Sequence, residues 1–145
     1  MSLIDLIEST LIIPLREVVK DSEIEYLGLP YTDNDPAVED WRAEISNMIA
    51  VDLTKRGRII FAPISAWHHL ARKYKLPGTF EYWLKLDEEF IKASKKLLII
   101  TLPGWRESKG VTGEIKLAEK YNVPIGYINP KPYIKRMEEQ NADTV

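Results

Sequence analysis

Cysteine is absent from this 145-residue chain, glutamine occurs once, and the two histidines are neighbours, His68 and His69. Without cysteine there are no disulfides, no thiolate metal sites and no cysteine nucleophile. Adjacent histidines point apart and no third ligand accompanies them, so no metal is expected; no cofactor is called for either. An excess of one charge is also missing. Twenty Lys+Arg against 22 Asp+Glu leave a formal charge of −2, which gives no long-range pull toward nucleic acid or an anionic membrane. No apolar run is long enough to span a bilayer. Residues 1–13 are apolar but carry Asp5 and Glu8 and lack a basic start, unlike a signal peptide. These absences predict a soluble cytoplasmic protein with neither nucleic-acid nor membrane partners, and the scarcity of Cys and Gln suits a thermophile.

What is present is ordinary globular composition, 45% hydrophobic and 29% charged, in a length that predicts one domain with a real core. Ile4, Ile7, Leu11, Leu15 and Val18 recur at helical spacing over residues 3–19, interrupted by Pro14. A strand follows over 24–29. Asp35 or Asn34 caps a helix with Pro36 at its first position, which runs to about Arg56 and stops at Gly57. A strand over 58–62 is broken by Pro63, and 64–74 form a short helix or loop. Thr79 caps a helix to about Ser94. Then come a strand over 97–102, a glycine loop, a helix from 111 to about 121, a strand over 124–128 and a tail with room for one more helix. Strand and helix alternate, so the expected fold is α/β: a single-domain, flavodoxin-like (Rossmann-like) three-layer sandwich. Its mainly parallel sheet of four to five strands has an order near 2-1-3-4. The expected divisions are an extension over 1–23, the α/β domain over 24–130 and a tail over 131–145.

The most informative stretch runs from Leu97 through Pro103, Gly104 and Trp105 to Ser108, Gly110, Gly113 and Glu114. A buried strand breaks at Pro-Gly, and a small-residue loop opens a helix with a carboxylate near its start. In open parallel sheets ligands bind there, outside strand carboxyl ends and against helix N-termini. A dipole effect alone also explains an acidic residue near a helix start. However, Gly113 weakens the helix by about 1 kcal/mol relative to alanine, which implies that something needs room beside it. Ser108 can cap the helix or donate to an anion.

Two other helices carry polar residues on apolar stripes. Over 80–94, Phe80, Trp83, Leu84, Phe90 and Ile91 share one face, and Asp87 lies at its centre. A carboxylate there is costly unless it is paired, hydrogen-bonded or open to a cavity. Over 36–56, Val38, Trp41, Ile45, Met48 and Ile49 form the buried face and Arg42 stands at its edge. Arg42 either grips an anion bidentately or covers apolar surface with its stem. Asp52, toward the far end of that helix, reads as structural. One of the two histidines reads as a pocket hydrogen-bonder. Trp67, Trp83 and Trp105 read as core or loop anchors, with Trp105 in the site loop.

Together, Tyr26-Leu27-Gly28-Leu29-Pro30-Tyr31-Thr32, Phe61-Ala62-Pro63-Ile64-Ser65 with His68, Trp83 with Asp87, and Gly104-Trp105 with Ser108, Gly110 and Glu114 resemble the small bacterial and archaeal DUF1937 family. That family in turn looks like a member of the nucleoside 2-deoxyribosyltransferase-like superfamily. The resemblance covers about residues 24–128. It implies an active site of Tyr26, Asp87 and Glu114, acting on the base–sugar bond of a nucleoside or nucleotide. Glu114 is then the nucleophile at C1′, Asp87 the proton donor to the leaving base and Tyr26 the group that orients Glu114. The transferases carry an aspartate six residues before the nucleophile, where this chain has Ser108. The related 5′-monophosphate N-glycosidases have a phosphate-contacting serine there, which shifts the expectation toward a nucleotide. Those enzymes place a phosphate-binding arginine where this chain has Thr32, so Arg42 or another donor must take that role. The implied ligand contacts are Gly28, Pro30, Tyr31, Arg42, His68, Trp105, Ser108, Gly110 and Val111. A homodimer or higher homo-oligomer is also implied, with residues 1–20 and the tail completing a neighbour's pocket. Two other classes fit the same residues: a non-catalytic nucleotide-binding or sensing module, and a protein-interaction domain in which Asp87 and Glu114 only cap backbone. Asp87 and Glu114 facing one cavity favours the enzyme.

Overall fold

A computed structural model describes Ser2 and residues 21–143. The helix expected over 3–19 and the pocket-completing role expected for residues 1–20 lie outside the described residues. Among the described residues four strands, β1 (Ile24–Gly28), β2 (Ile59–Phe61), β3 (Lys96–Ile100) and β4 (Ile125–Ile128), form one sheet in the order β2-β1-β3-β4. Every pairing is parallel, with Tyr26 opposite Phe61, Gly28 opposite Ile99 and Ile100 opposite Ile128. The fold is the α/β flavodoxin-like sandwich that the alternation of elements predicted.

Among the described residues five helices connect and cover the sheet: α1 (Pro36–Lys55), α2 (Pro63–Lys73), α3 (Phe80–Lys92), α4 (Lys109–Lys120) and α5 (Lys131–Asp143). Their starts follow from local chemistry. The Asp35 side chain accepts the Ala37 N–H at 2.9 Å with Pro36 in the first turn, and the Thr79 hydroxyl accepts the Tyr82 N–H at 3.4 Å. Gly57, at φ +83°, follows the end of α1. Helix α4 begins two residues earlier than expected because its cap is Ser108, whose Oγ accepts the Val111 N–H at 3.2 Å. Strand β3 stops at Ile100, short of the expected Leu102. The Leu102 N–H bonds back to the Ile100 carbonyl at 2.9 Å, which turns the chain out of the ladder.

Side-chain alternation along the strands builds two cores. Leu27, Leu98 and Ile100 meet Ile45, Met48, Ile49 and Leu53 of α1 and Met137 of α5 on one face. Tyr26, Leu97 and Ile99 meet Ile91 of α3 and Val111, Leu117 and Ala118 of α4 on the other. With both faces covered, β1 and β3 are continuous apolar runs rather than alternating ones. The tail's helix joins the first core, and Arg136 pairs with Asp52 at 2.8 Å, which gives Asp52 the structural role expected of it. Phe90 departs from the expected stripe. It is 38% exposed and stacks on Phe61 of the edge strand, with ring centroids 4.0 Å apart.

Candidate functional site

The parity that buries Tyr26 toward α3 and α4 also turns Gly28, two residues on, to that face at the carboxyl end of β1. Helix α4 answers with its own buried stripe of Val111, Glu114, Leu117 and Ala118. A carboxylate therefore sits where an apolar residue belongs, and Glu114 is only 7% exposed. It rests on the bare Cα of Gly28: a Cβ there would stand 2.9 Å from Glu114 Oε1 and 3.2 Å from its Cδ. Glycine at position 28 is what admits the carboxylate. Asp87 comes from the centre of the α3 stripe and opens into the same cavity as Glu114.

No ion pair among the described residues involves either carboxylate. Burial, with no cation to offset it, pushes Glu114 up to about 8, and the Asp87 charge pushes the same way. Burial raises Asp87 to about 6. The Tyr26 phenol, held well above its usual range by burial and by the two carboxylates, favours the charged form of both. Its hydroxyl meets neither acid with hydrogen-bond geometry. Among the described residues it is the buried side-chain polar atom without a partner. The acids titrate as a pair, and near neutral pH they hold one proton between them.

Above this floor is a cavity of about 750 Å³. Six of the implied ligand contacts line it: Pro30 and Tyr31 from the β1–α1 loop, Arg42 of α1, His68 of α2, and Ser108 and Gly110 at the start of α4. Arg42 spends its Nη1 on the carbonyls of Tyr31 and Thr32, both at 3.1 Å, so it braces the loop as well as facing the cavity. The Ser108 Oγ accepts one bond as the α4 cap, which leaves its O–H to donate. That bond also occupies the Val111 amide, and the Val111 side chain lies in the core. Trp105 is outside the lining. Gly104, at φ +88°, turns the loop so that the indole packs on Tyr127 of β4, with centroids 5.5 Å apart. The room beside Gly113 belongs to Phe80 of α3, whose ring carbon would lie 2.8 Å from an added Cβ.

Of one wall the sequence reading named only His68 as a ligand contact. Ile64, Trp67, His68, Ala71 and Arg72 line the cavity from α2. Their spacing of three, four, seven and eight residues is a helical face already legible in the sequence. Trp83, expected as an anchor, also lines the cavity, while its Nε1–H donates to the Pro77 carbonyl at 2.8 Å. No cluster of three or more His, Cys, Asp or Glu among the described residues is arranged to hold a metal ion. No helix among them is long and apolar enough to cross a membrane.

Fold and site define an α/β domain of the parallel, doubly wound kind, with a pocket over the carboxyl ends of its central strands and two acids at the pocket floor, Glu114 buried and Asp87 half-buried. The chain belongs to the DUF1937 family, described as a domain of unknown function, whose family model matches residues 23–129. No curated protein matches it.

Proposed function

We propose that this cavity binds a nucleoside or nucleotide and cleaves its base–sugar bond, as a hydrolase or a (deoxy)ribosyltransferase of the nucleoside 2-deoxyribosyltransferase-like kind. One observation carries the reading. Two carboxylates from different helices, neither paired with a cation among the described residues, share one cavity and flank a buried phenol. Burying Glu114 beside a half-buried Asp87 costs stability, and a fold that needed them only as helix caps would aim them at backbone N–H groups.

In the proposed reaction the ionised Glu114 attacks C1′ as the C1′–N bond breaks, and the bonding electrons leave with the base. The base takes its proton from Asp87. Water, or an incoming base in transfer, then attacks C1′ of the glycosyl ester and gives its proton to Asp87, while Glu114 leaves as carboxylate. Tyr26 supports the carboxylate form of Glu114 from beneath. Arg42, the Ser108 hydroxyl and the Gly110 end of α4 suit the sugar and a 5′-phosphate.

A second reading has its own observation. With Glu114 pushed up to about 8, the empty pocket holds it protonated at neutral pH, a form that donates a hydrogen bond and does not attack. In that case the domain is a nucleotide-binding module. The deciding experiment incubates the protein with nucleosides and their 5′-monophosphates and follows released base by chromatography. Release that is lost in Glu114→Ala with the fold retained supports the enzyme. Binding to the same panel without release supports the module, and neither binding nor release overturns both.

A further inference from the structure

The β1–α1 loop meets α2 through a chain of polar side chains that the proposed chemistry does not use. The Tyr31 hydroxyl hydrogen-bonds His68 Nδ1, and His68 Nε2 lies 2.9 Å from Asp40 Oδ1. Arg72, one turn beyond His68 on α2, grips the same Asp40 carboxylate and reaches Glu39 at 3.4 Å. Tyr31, His68, Arg72 and Glu39 line the cavity, and Asp40 stands behind them with its side chain 55% exposed.

We propose that Asp40, acting through His68, holds the Tyr31 phenol as a hydrogen-bond acceptor in the cavity wall, so that this wall selects a ligand group presenting an N–H or O–H donor. The roles follow from what each group can carry. Asp40, bound by the Arg72 guanidinium, is an ionised acceptor, so His68 Nε2 carries the proton it shares with Asp40. In the neutral ring Nδ1 is then an acceptor, and the Tyr31 O–H must donate to it. The phenol hydrogen is thereby committed, and the oxygen keeps lone pairs with no other partner among the described residues. Asp40 and His68 are positioning residues, and Tyr31 is the one that meets the ligand. The inference rests on the cavity taking nucleosides or nucleotides, and not on its cleaving them.

Two measurements test it. In ¹⁵N-histidine-labelled protein at about pH 8.5, two units above the ordinary imidazole value, the His68 ring should show the Nε2–H tautomer. Asp40→Ala should lose that preference and Asp40→Asn should keep part of it; an Nδ1–H tautomer in the unsubstituted protein overturns the proposal. The second measurement compares dissociation constants for adenosine against purine riboside, which lacks the base amine, and against 2′- and 3′-deoxyadenosine, which each remove one sugar hydroxyl. The donor-bearing member should bind about tenfold tighter in at least one pair, the worth of one net hydrogen bond, and the pair that responds identifies the donor as base or sugar. Tyr31→Phe and Asp40→Ala should abolish the preference. No preference in any pair, no binding at all, or a preference that survives both substitutions overturns the proposal. Base release with no such preference leaves the cleavage reading standing. A preference without release removes cleavage and leaves this inference intact.

Discussion

The Glu114 carboxylate lies on the Cα of Gly28 so closely that a methyl group there would fall 2.9 Å from its Oε1. The strand end and the helix are therefore fitted to each other across the floor of the site. Gly28→Ala should destabilise the domain by about 1–3 kcal/mol, the usual cost of overpacking. In a Glu114→Ala background the same substitution should cost less, because the nearest obstacle is gone, while Ile99 Cδ1, at 3.2 Å, still crowds the new methyl. Urea unfolding of the four proteins gives the coupling energy, expected near 1 kcal/mol. Additive costs would mean that the two residues do not meet.

Burial of Glu114 makes stability depend on pH in a stated direction. Its folded-state pKa of about 8 lies above its ordinary 4.5, so the folded form binds the proton more tightly than the unfolded chain does. The associated stability is fully present below about pH 4.5 and is lost as pH rises through about 8. At 1.4 kcal/mol per unit the loss is on the order of 5 kcal/mol. Glu114→Gln keeps the shape of the protonated acid and cannot ionise. Its Tm should match that of the unsubstituted protein near pH 5, exceed it increasingly toward pH 8 and level off above about pH 9. A constant difference across that range would show that Glu114 does not titrate with folding.

The same pair shapes the pH profile of the proposed reaction. The chemistry needs Glu114 ionised and Asp87 protonated, whereas the empty pocket favours the opposite arrangement, with Asp87 near 6 and Glu114 near 8. Both arrangements carry one proton. The profile of kcat/KM should then be a bell with limbs near those two values and a maximum near pH 7. The reactive tautomer should be about one hundredth of the singly protonated protein, as a two-unit gap implies. Asp87→Asn should remove the alkaline limb and lower the rate by about 10²–10⁴-fold, the usual worth of a general acid. Substrates with leaving bases that need no proton should suffer least.

Much of this site was legible because its residues break a local pattern. Asp87 interrupts the apolar stripe of α3, and Glu114 follows a strand break and a glycine loop, so both stood out before any tertiary contact was known. Gly113 correctly signalled a need for room, but its occupant is Phe80 of the neighbouring helix, which no local pattern names. Trp105 was misread because closeness in sequence to Gly104 says nothing about direction; the positive φ of Gly104 sends the indole toward β4. The Tyr31–His68–Asp40 chain was out of reach for a different reason. Its members come from a loop and two helices, and only the packing of α1 on α2 brings them together.

At the amino ends of the strands a second buried carboxylate shows what pairing changes. Glu25 of β1 is 5% exposed, and Arg58, at the entry to β2, holds it with two bonds of 2.7 and 2.6 Å. The guanidinium holds Glu25 below the usual carboxylate range, where Glu114 and Asp87, without a cation, are raised. Arg58→Ala leaves that carboxylate buried and unpaired, and should cost about 2 kcal/mol at pH 7, less than for a fully buried pair because Arg58 is 39% exposed. The sign with pH is the reverse of the Glu114 case. A lowered pKa gives stability that is present above the ordinary value near 4.5 and is lost as pH falls through the depressed one. The gap in Tm between Arg58→Ala and the unsubstituted protein should therefore narrow as pH falls below about 4. Base release should survive the substitution at neutral pH, because this pair sits at the amino ends of the strands and the cavity at their carboxyl ends. A loss of release in a folded Arg58→Ala protein would place part of the chemistry at the wrong end of the sheet, and the two-carboxylate mechanism would fall with it.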